Sequence, residues 1–296
     1  MKKIASFSLF LLLSMAAMSQ GIYFRAGTGY GIPIATSSIG ESLTNNTVTT
    51  GTGTTYTSSV KGVKASYGSG LDFNFALGYK INQNFIIDLN VQYLIGSKYE
   101  TGNSYSNKST SFTEVDYDLT TSSAKGFLFN PSVIFSAGFG KAAPYARFGL
   151  MLGSPTVTST MESYYNGDGV DSTVIKGEYV KGFALGFQGA VGMNWKISEK
   201  FDLFTEVNFA GLTYYPGERN ITQNIRGSGN FKVDQVTDNL PSMSVSQKNT
   251  VYEKEYHPTK VNSDPTKPST ASRVSFPLSS LSFQVGIRVP LWNKSE

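Results

Sequence analysis

The chain has 296 residues, 40% of them hydrophobic and 16% charged, with a formal net charge of +4 and no cysteine. That balance excludes a disordered, charge-dominated chain, and the missing cysteines exclude disulfides and thiolate metal sites. Abundant Gly, Ser, Thr, Asn, Tyr and Phe suit strands and turns better than long helices.

Residues 1–19 read apart from the rest. Lys2 and Lys3 make a basic start, Phe7 to Leu13 is apolar but for Ser8, and Ala17-Met18-Ser19 offers small residues for a peptidase. This is the pattern of a secretory signal peptide cut after Ser19, so the folded domain is expected over residues 20–296. The apolar run is too short for a spanning helix. Without Lys2 and Lys3 the formal charge falls from +4 to +2. No basic stripe interleaves with aromatics, so no nucleic-acid partner is expected.

Eight period-two runs follow. Residues 22–32 set Ile22, Phe24, Ala26 and Tyr30 against Arg25 and several glycines. Residues 71–81 set Leu71, Phe73, Phe75, Leu77 and Tyr79 against Asp72 and Asn74. Residues 85–96, FIIDLNVQYLIG, alternate almost without error, with Asp88, Asn90 and Gln92 on the polar side. Residues 127–139 place Phe127, Phe129, Val133 and Phe135 opposite Asn130, Ser132 and Ser136. Residues 145–154 place Phe148, Leu150 and Leu152 opposite Arg147 and two glycines. Residues 179–195 set Phe183, Leu185, Phe187, Val191 and Met193 against Gln188 and small residues. Residues 201–215 set Leu203, Val207 and Phe209 against Asp202, Glu206 and Asn208. Residues 281–291 set Leu281, Phe283, Val285, Ile287, Val289 and Leu291 against Ser282, Gln284 and Arg288. Strict alternation predicts strands with two unlike faces. Ile86, Leu94, Leu128, Ile134, Phe204 and Leu212 break the rule, being apolar on the polar face.

The connections alternate too. Residues 82–84, 140–144 and 197–200 make short links, whereas 33–70, 98–125, 155–178 and 216–280 make long ones, read here as structureless. The first long link contains the low-complexity run TNNTVTTGTGTTYTSSV. In the last, Phe231, Val233 and Gln235 alternate enough to suggest a further hairpin, and ten strands if it joined the others. Long links at every second connection all fall at one end of an up-and-down sheet. Short turns at one end and long loops at the other mark an outer-membrane barrel.

The polar face carries Gly, Ala, Ser, Asn and Gln with few charges, which fits a narrow enclosed interior. The bulky face is apolar on every strand, which water would not tolerate. Tyr79, Phe85, Phe139, Trp195, Phe201 and Trp292 fall at the short-turn end, and Tyr93, Tyr99, Phe127, Tyr179 and Tyr214 toward the other, as two interfacial belts would. The bulky rows are therefore expected to meet lipid.

Taken with its last strand, SLSFQVGIRVPLW, the chain resembles the small outer-membrane β-barrel proteins of Gram-negative bacteria, the OmpA/OmpX/OmpW-like, porin-family group. The resemblance covers nearly all of the mature chain. It implies an all-β, antiparallel up-and-down transmembrane barrel of eight strands, with short periplasmic turns and long extracellular loops. It also implies residence in the outer membrane among its lipids, and delivery by the outer-membrane assembly machinery. In that family a terminal aromatic residue is the assembly signal. Trp292 stands near that place, although Asn293 to Glu296 follow it, Pro290 interrupts the strand, and Trp292 is off the parity of Leu291.

Sharper chemistry is scarce. Gly27-Thr28-Gly29-Tyr30-Gly31 lacks the following helix that a phosphate-binding loop needs. Asn166-Gly167-Asp168-Gly169 with Asp171 lacks the closing bidentate carboxylate of a calcium loop, and reads as a loop tip. His257, the only histidine, lies in the longest loop with no strand to orient it, so no catalytic residue, cofactor or metal is expected. The inward charges are the remaining candidates. Arg25, Asp72, Asp88, Arg147, Asp202, Glu206 and Arg288 are expected to form one ion-pair network with Asn90, Gln188, Asn208 and Gln284, plugging the barrel. The expected function is non-enzymatic, structural or surface-interacting, with an extracellular ligand at the long loops. Passive transport of a small apolar solute or ion is the alternative, and a lipid-modifying enzyme a more distant one.

Overall fold

The computed structural model describes residues 21–34, 36–82, 84–110, 113–137, 141–166, 170–228, 236–255 and 264–291. The expected signal peptide, Phe139, Gly167 to Gly169, Phe231, Val233, Gln235, His257 and Trp292 lie outside the described residues. The chain is all-β and mostly antiparallel. Its strands are β1 (Ile22–Pro33), β2 (Ser37–Thr50), β3 (Gly53–Ala65), β4 (Gly70–Lys80), β5 (Phe85–Gly96), β6 (Tyr99–Lys108), β7 (Thr113–Ser136), β8 (Ala142–Gly153) and β9 (Thr156–Asn166). They continue with β10 (Val170–Val180), β11 (Phe183–Lys196), β12 (Asp202–Tyr215), β13 (Glu218–Ser228), β14 (Val236–Asp238), β15 (Asn249–Glu253), β16 (Ser269–Ser272), β17 (Phe276–Pro277) and β18 (Ser280–Pro290). Among the described residues there is one short helix, α1 (Val245–Lys248), which starts at Ser244, whose hydroxyl accepts from the Gln247 amide.

Eight of these strands close into a ring in the order β1, β4, β5, β7, β8, β11, β12, β18 and back to β1, every contact antiparallel. They are the eight strands that alternation marks. Two of them depart from expectation. The run expected over 179–195 divides at Lys181, whose φ of 54° turns the chain between β10 and β11. The run expected from 127 begins at Thr113, because β7 continues well past the ring.

The long connections are not structureless, as was expected of them. They form a second sheet that grows from one end of the ring, in the order β3, β2, β6, β7, β9, β10, β13. Beyond β13 it carries β14, β15 and β16. The reason is intrinsic preference: threonine, valine and tyrosine favour extended backbone even where no apolar face has to be buried. Residues such as Thr47 and Tyr56, opposite each other in the β2–β3 hairpin, pair without a hydrophobic alternation to announce it. No described strand from residues 216–280 enters the ring as a new member; β17 only extends the β18 register on β12.

Side-chain parity puts the bulky rows outside and the polar rows inside. Tyr30, Leu77, Leu89, Phe129, Phe148, Phe187, Val207 and Phe283, one from each ring strand, are 42–60% exposed. Asp72, Asn74, Asp88, Asn90, Asn130, Arg147, Gln188, Glu206, Asn208 and Gln284 are buried. The residues that broke the alternation have a place. Leu94, Leu128 and Leu212 join Tyr67, Met151, Val157, Tyr214 and Leu278 in an apolar cluster at the end bearing the second sheet. Ile86 and Ile134 join Tyr23 and Tyr145 in a smaller one at the short-turn end. The polar interior thus lies between two apolar layers.

Candidate functional site

The buried polar layer is built from alternate residues of all eight ring strands, so every group on it is aimed by backbone pairing. Its centre is Glu206 of β12, which takes two arginines from across the interior. Arg25 of β1 donates through Nη1 to Oε2 at 3.3 Å, and Arg147 of β8 donates through Nη2 to Oε1. The Tyr145 hydroxyl donates to Glu206 Oε2 at 2.8 Å. Arg25 also lies over the Phe204 ring, with Cζ 4.8 Å from its centroid. The glycine run of β1 makes room for this stacking: a Cβ on Gly27 would stand 2.6 Å from Phe204 Cζ. Gly78 likewise lies under the Tyr23 ring, where a Cβ could not fit.

The seven charged residues expected to form one network divide into separate groups. Arg25, Arg147 and Glu206 form the first. Arg288 and Asp202 form the second, with Nε donating to Oδ2 at 2.9 Å, nearer the short-turn rim and partly exposed. Asp88 and Asp72 form no ion pair among the described residues. Asp88 Oδ2 accepts from the Tyr23 hydroxyl at 2.9 Å. Asp72 Oδ1 accepts from Gln284 Nε2 at 3.2 Å and from Asn74 Nδ2 at 3.4 Å. Of the expected amide partners, Gln284 and Asn208 are engaged, the latter donating to Ser282 Oγ at 3.4 Å. Asn90 Oδ1 and both polar atoms of Gln188 have no partner among the described residues.

Tyr23 and Tyr145 were not among the expected site residues, yet each holds a carboxylate. Parity would have found them, since Tyr23 shares a face with Arg25 and Tyr145 with Arg147. Asn130, Arg25 and Arg147 also keep buried atoms with no partner among the described residues, and these comprise both donors and acceptors. Water both donates and accepts, and is the species that satisfies such mixed sets in buried polar sites.

Above this layer the mouth of the ring is crossed by residues 66–69 and 276–279. The Tyr67 amide donates to the Pro277 carbonyl at 2.8 Å, and the Leu278 amide to the Leu212 carbonyl at 2.9 Å. Phe276 packs edge-on against Tyr67 and Tyr179, with centroids 5.5 and 4.9 Å apart. This corrects one aromatic belt. Tyr93 and Phe127 do pair on the outer face, 4.7 Å apart, but Tyr214 is fully buried, and Tyr99 and Tyr179 pack on the cluster over the mouth. Tyr214 has inward parity on β12, and Tyr179 belongs to β10 beyond the ring.

Among the described residues no group of three or more metal-ligating side chains converges. What the fold and the interior define is a closed antiparallel ring with an apolar exterior and a packed polar interior. No protein-family model matches the chain, and no curated protein matches it.

Proposed function

We propose that the chain is an outer-membrane β-barrel protein of non-enzymatic, structural or surface-interacting role. Its ring spans the bilayer, and its second sheet projects to the outside. The observation that carries this reading is the inside-out ring, with large apolar side chains exposed on every strand around buried arginines, carboxylates and amides. In water that exterior would drive aggregation; in a bilayer it is the required surface, and closure leaves no unpaired ring edge. Ring strands of about twelve residues, at roughly 3.3 Å per residue and tilted near 40°, are long enough for the apolar band. Signal-peptide export and assembly by the outer-membrane machinery belong to the same reading.

The interior supports a closed rather than a conducting state, because the Arg25–Glu206–Arg147 group and the aromatic cover of the mouth both cross it. The test is cell fractionation, followed by electrophoresis with and without boiling. The protein is expected in the outer-membrane fraction, with a mobility that changes on heating. Recovery in the soluble periplasmic fraction would overturn the reading. In planar bilayers no stable ion conductance is expected; steady channels would put passive transport first.

A further inference from the structure

We propose that β3 is a homophilic contact strand that joins two copies of this chain across facing membranes. The proposal rests on the reading of the ring as the membrane span. The projecting sheet begins at β3, which is in register with β2 along one edge and with no described strand along the other. It is 13 residues long and exposed along nearly all of its length. A free edge of that length offers a row of unpaired amides and carbonyls, the template for adding another strand.

The register says which residues would bond. Thr50 and Gly53 flank a two-residue turn and face each other, so odd-numbered residues of β3 bond to β2. Even-numbered residues from Thr54 to Lys64 therefore turn their amides and carbonyls to the free edge. The two most exposed large apolar side chains of the strand are among them: Tyr56 at 77% and Val60 at 61%. An antiparallel pair of identical strands with Ser58 on the two-fold axis sets Tyr56 opposite the other copy's Val60, twice. Aromatic against β-branched is a favourable cross-strand pair, and both side chains lie on one face of the sheet. The same register sets Lys61 opposite Thr55 and Lys64 opposite Thr52, so no lysine meets a lysine. The edge lysines that commonly block such pairing are thus accommodated.

Geometry then fixes where the second copy sits. β3 runs from the hairpin tip at Gly53 to Ala65 beside the ring. A two-fold axis across antiparallel strands carries the second ring to the opposite end of the joined sheet. The two rings therefore lie in facing membranes, not side by side. Side-by-side copies would run their β3 strands in the same direction. A parallel ladder needs each bonding residue to lie between two bonding residues of its neighbour, an offset that two identical edges related by a two-fold axis along the strand cannot satisfy.

The absence of cysteine makes the test clean. Directly opposite residues of a bonding pair have Cα atoms about 5.5 Å apart, within the roughly 4.4–6.8 Å that a disulfide bridges. Under mild oxidation the full chain in detergent carrying Ser58→Cys is expected to give about tenfold more disulfide dimer than one carrying Ser42→Cys. Ser42 lies on β2, covered on both edges by β3 and β6. In lipid vesicles the unmodified protein should cluster the vesicles. Ser58→Pro, which removes only an edge amide, and Val60→Lys should abolish clustering while preserving heat-modifiable mobility. Equal cross-linking at the two positions would overturn the proposal. So would Ser58→Cys dimers without vesicle clustering, which would place both copies in one membrane. Flotation of the vesicles separately reads insertion, so failure of the membrane reading is distinguishable from failure of the contact.

Discussion

The ring and the projecting sheet are built from the same backbone ladder but are held together differently. In the ring, alternation separates an apolar exterior from a packed interior, and single buried side chains reach across it. The projecting sheet is covered only at its base, where Ala124, Val157 and Tyr179 meet the apolar cluster over the mouth; farther out its charges are exposed and stability comes from pairing and intrinsic preference. The contrast is clearest in their ion pairs. Glu206 holds Arg25 and Arg147 with all three side chains buried. Arg226 holds Asp171 bidentately, at 3.2 and 2.6 Å, with both side chains open to solvent. The first arrangement is costly to break because it leaves buried charge behind, whereas the second is screened.

The largest effect should come from breaking the first. Glu206→Ala leaves two arginines buried without their carboxylate and should destabilise the folded ring by about 3–5 kcal/mol, measured by urea unfolding in detergent or lipid. Arg147→Ala should cost less, since Glu206 keeps Arg25. Equal losses from the two variants would mean that Glu206 is not the centre of the group. Next in size is overpacking. Gly78→Ala sets a methyl group into the Tyr23 ring and should cost about 1–3 kcal/mol by the same measurement.

A smaller effect, of opposite sign, belongs to the wall. The β7–β8 register runs unchanged from Phe129↔Leu152 to Ser132↔Gly149, but the pairs at Asn130 and Pro131 are missing between them. Pro131 has no amide to offer the carbonyl of Leu150 opposite. Pro131→Val should restore that bond, stabilise the ring by about 0.5–1.5 kcal/mol and slow amide exchange along this seam. No change in exchange would mean that the seam is already satisfied from elsewhere.

The smallest effects should lie in the projecting sheet. Hydrogen bonds from Arg226 hold the Asp171 carboxyl below its ordinary value. Its contribution is therefore complete above the unfolded value of about 4 and is lost as pH falls through the depressed one. Lowering the pH through that window, or raising salt, should speed exchange where β10 pairs with β13. Removing the β2–β3 hairpin between Gly40 and Gly62 should leave ring stability within about 1 kcal/mol, since that segment buries little.

Much of this was determined by the sequence itself. Period-two alternation, as in Phe85 to Gly96, marks all eight ring strands and assigns Arg25, Arg147 and Glu206 to one enclosed face, because a strand sends alternate side chains to opposite sides. What alternation cannot carry is depth and distance around the ring. The tertiary structure alone decided that Glu206 takes both Arg25 and Arg147 while Asp88 turns to Tyr23, since those contacts cross between strands far apart in the chain. It alone turned Ile86, Leu94 and Leu212 from faults in a pattern into apolar layers that close the polar interior at both ends. It alone showed the threonine-rich connections to be strands, because they face the apolar cluster only at their base and so carry no sustained hydrophobic period, and only their pairing partners reveal them.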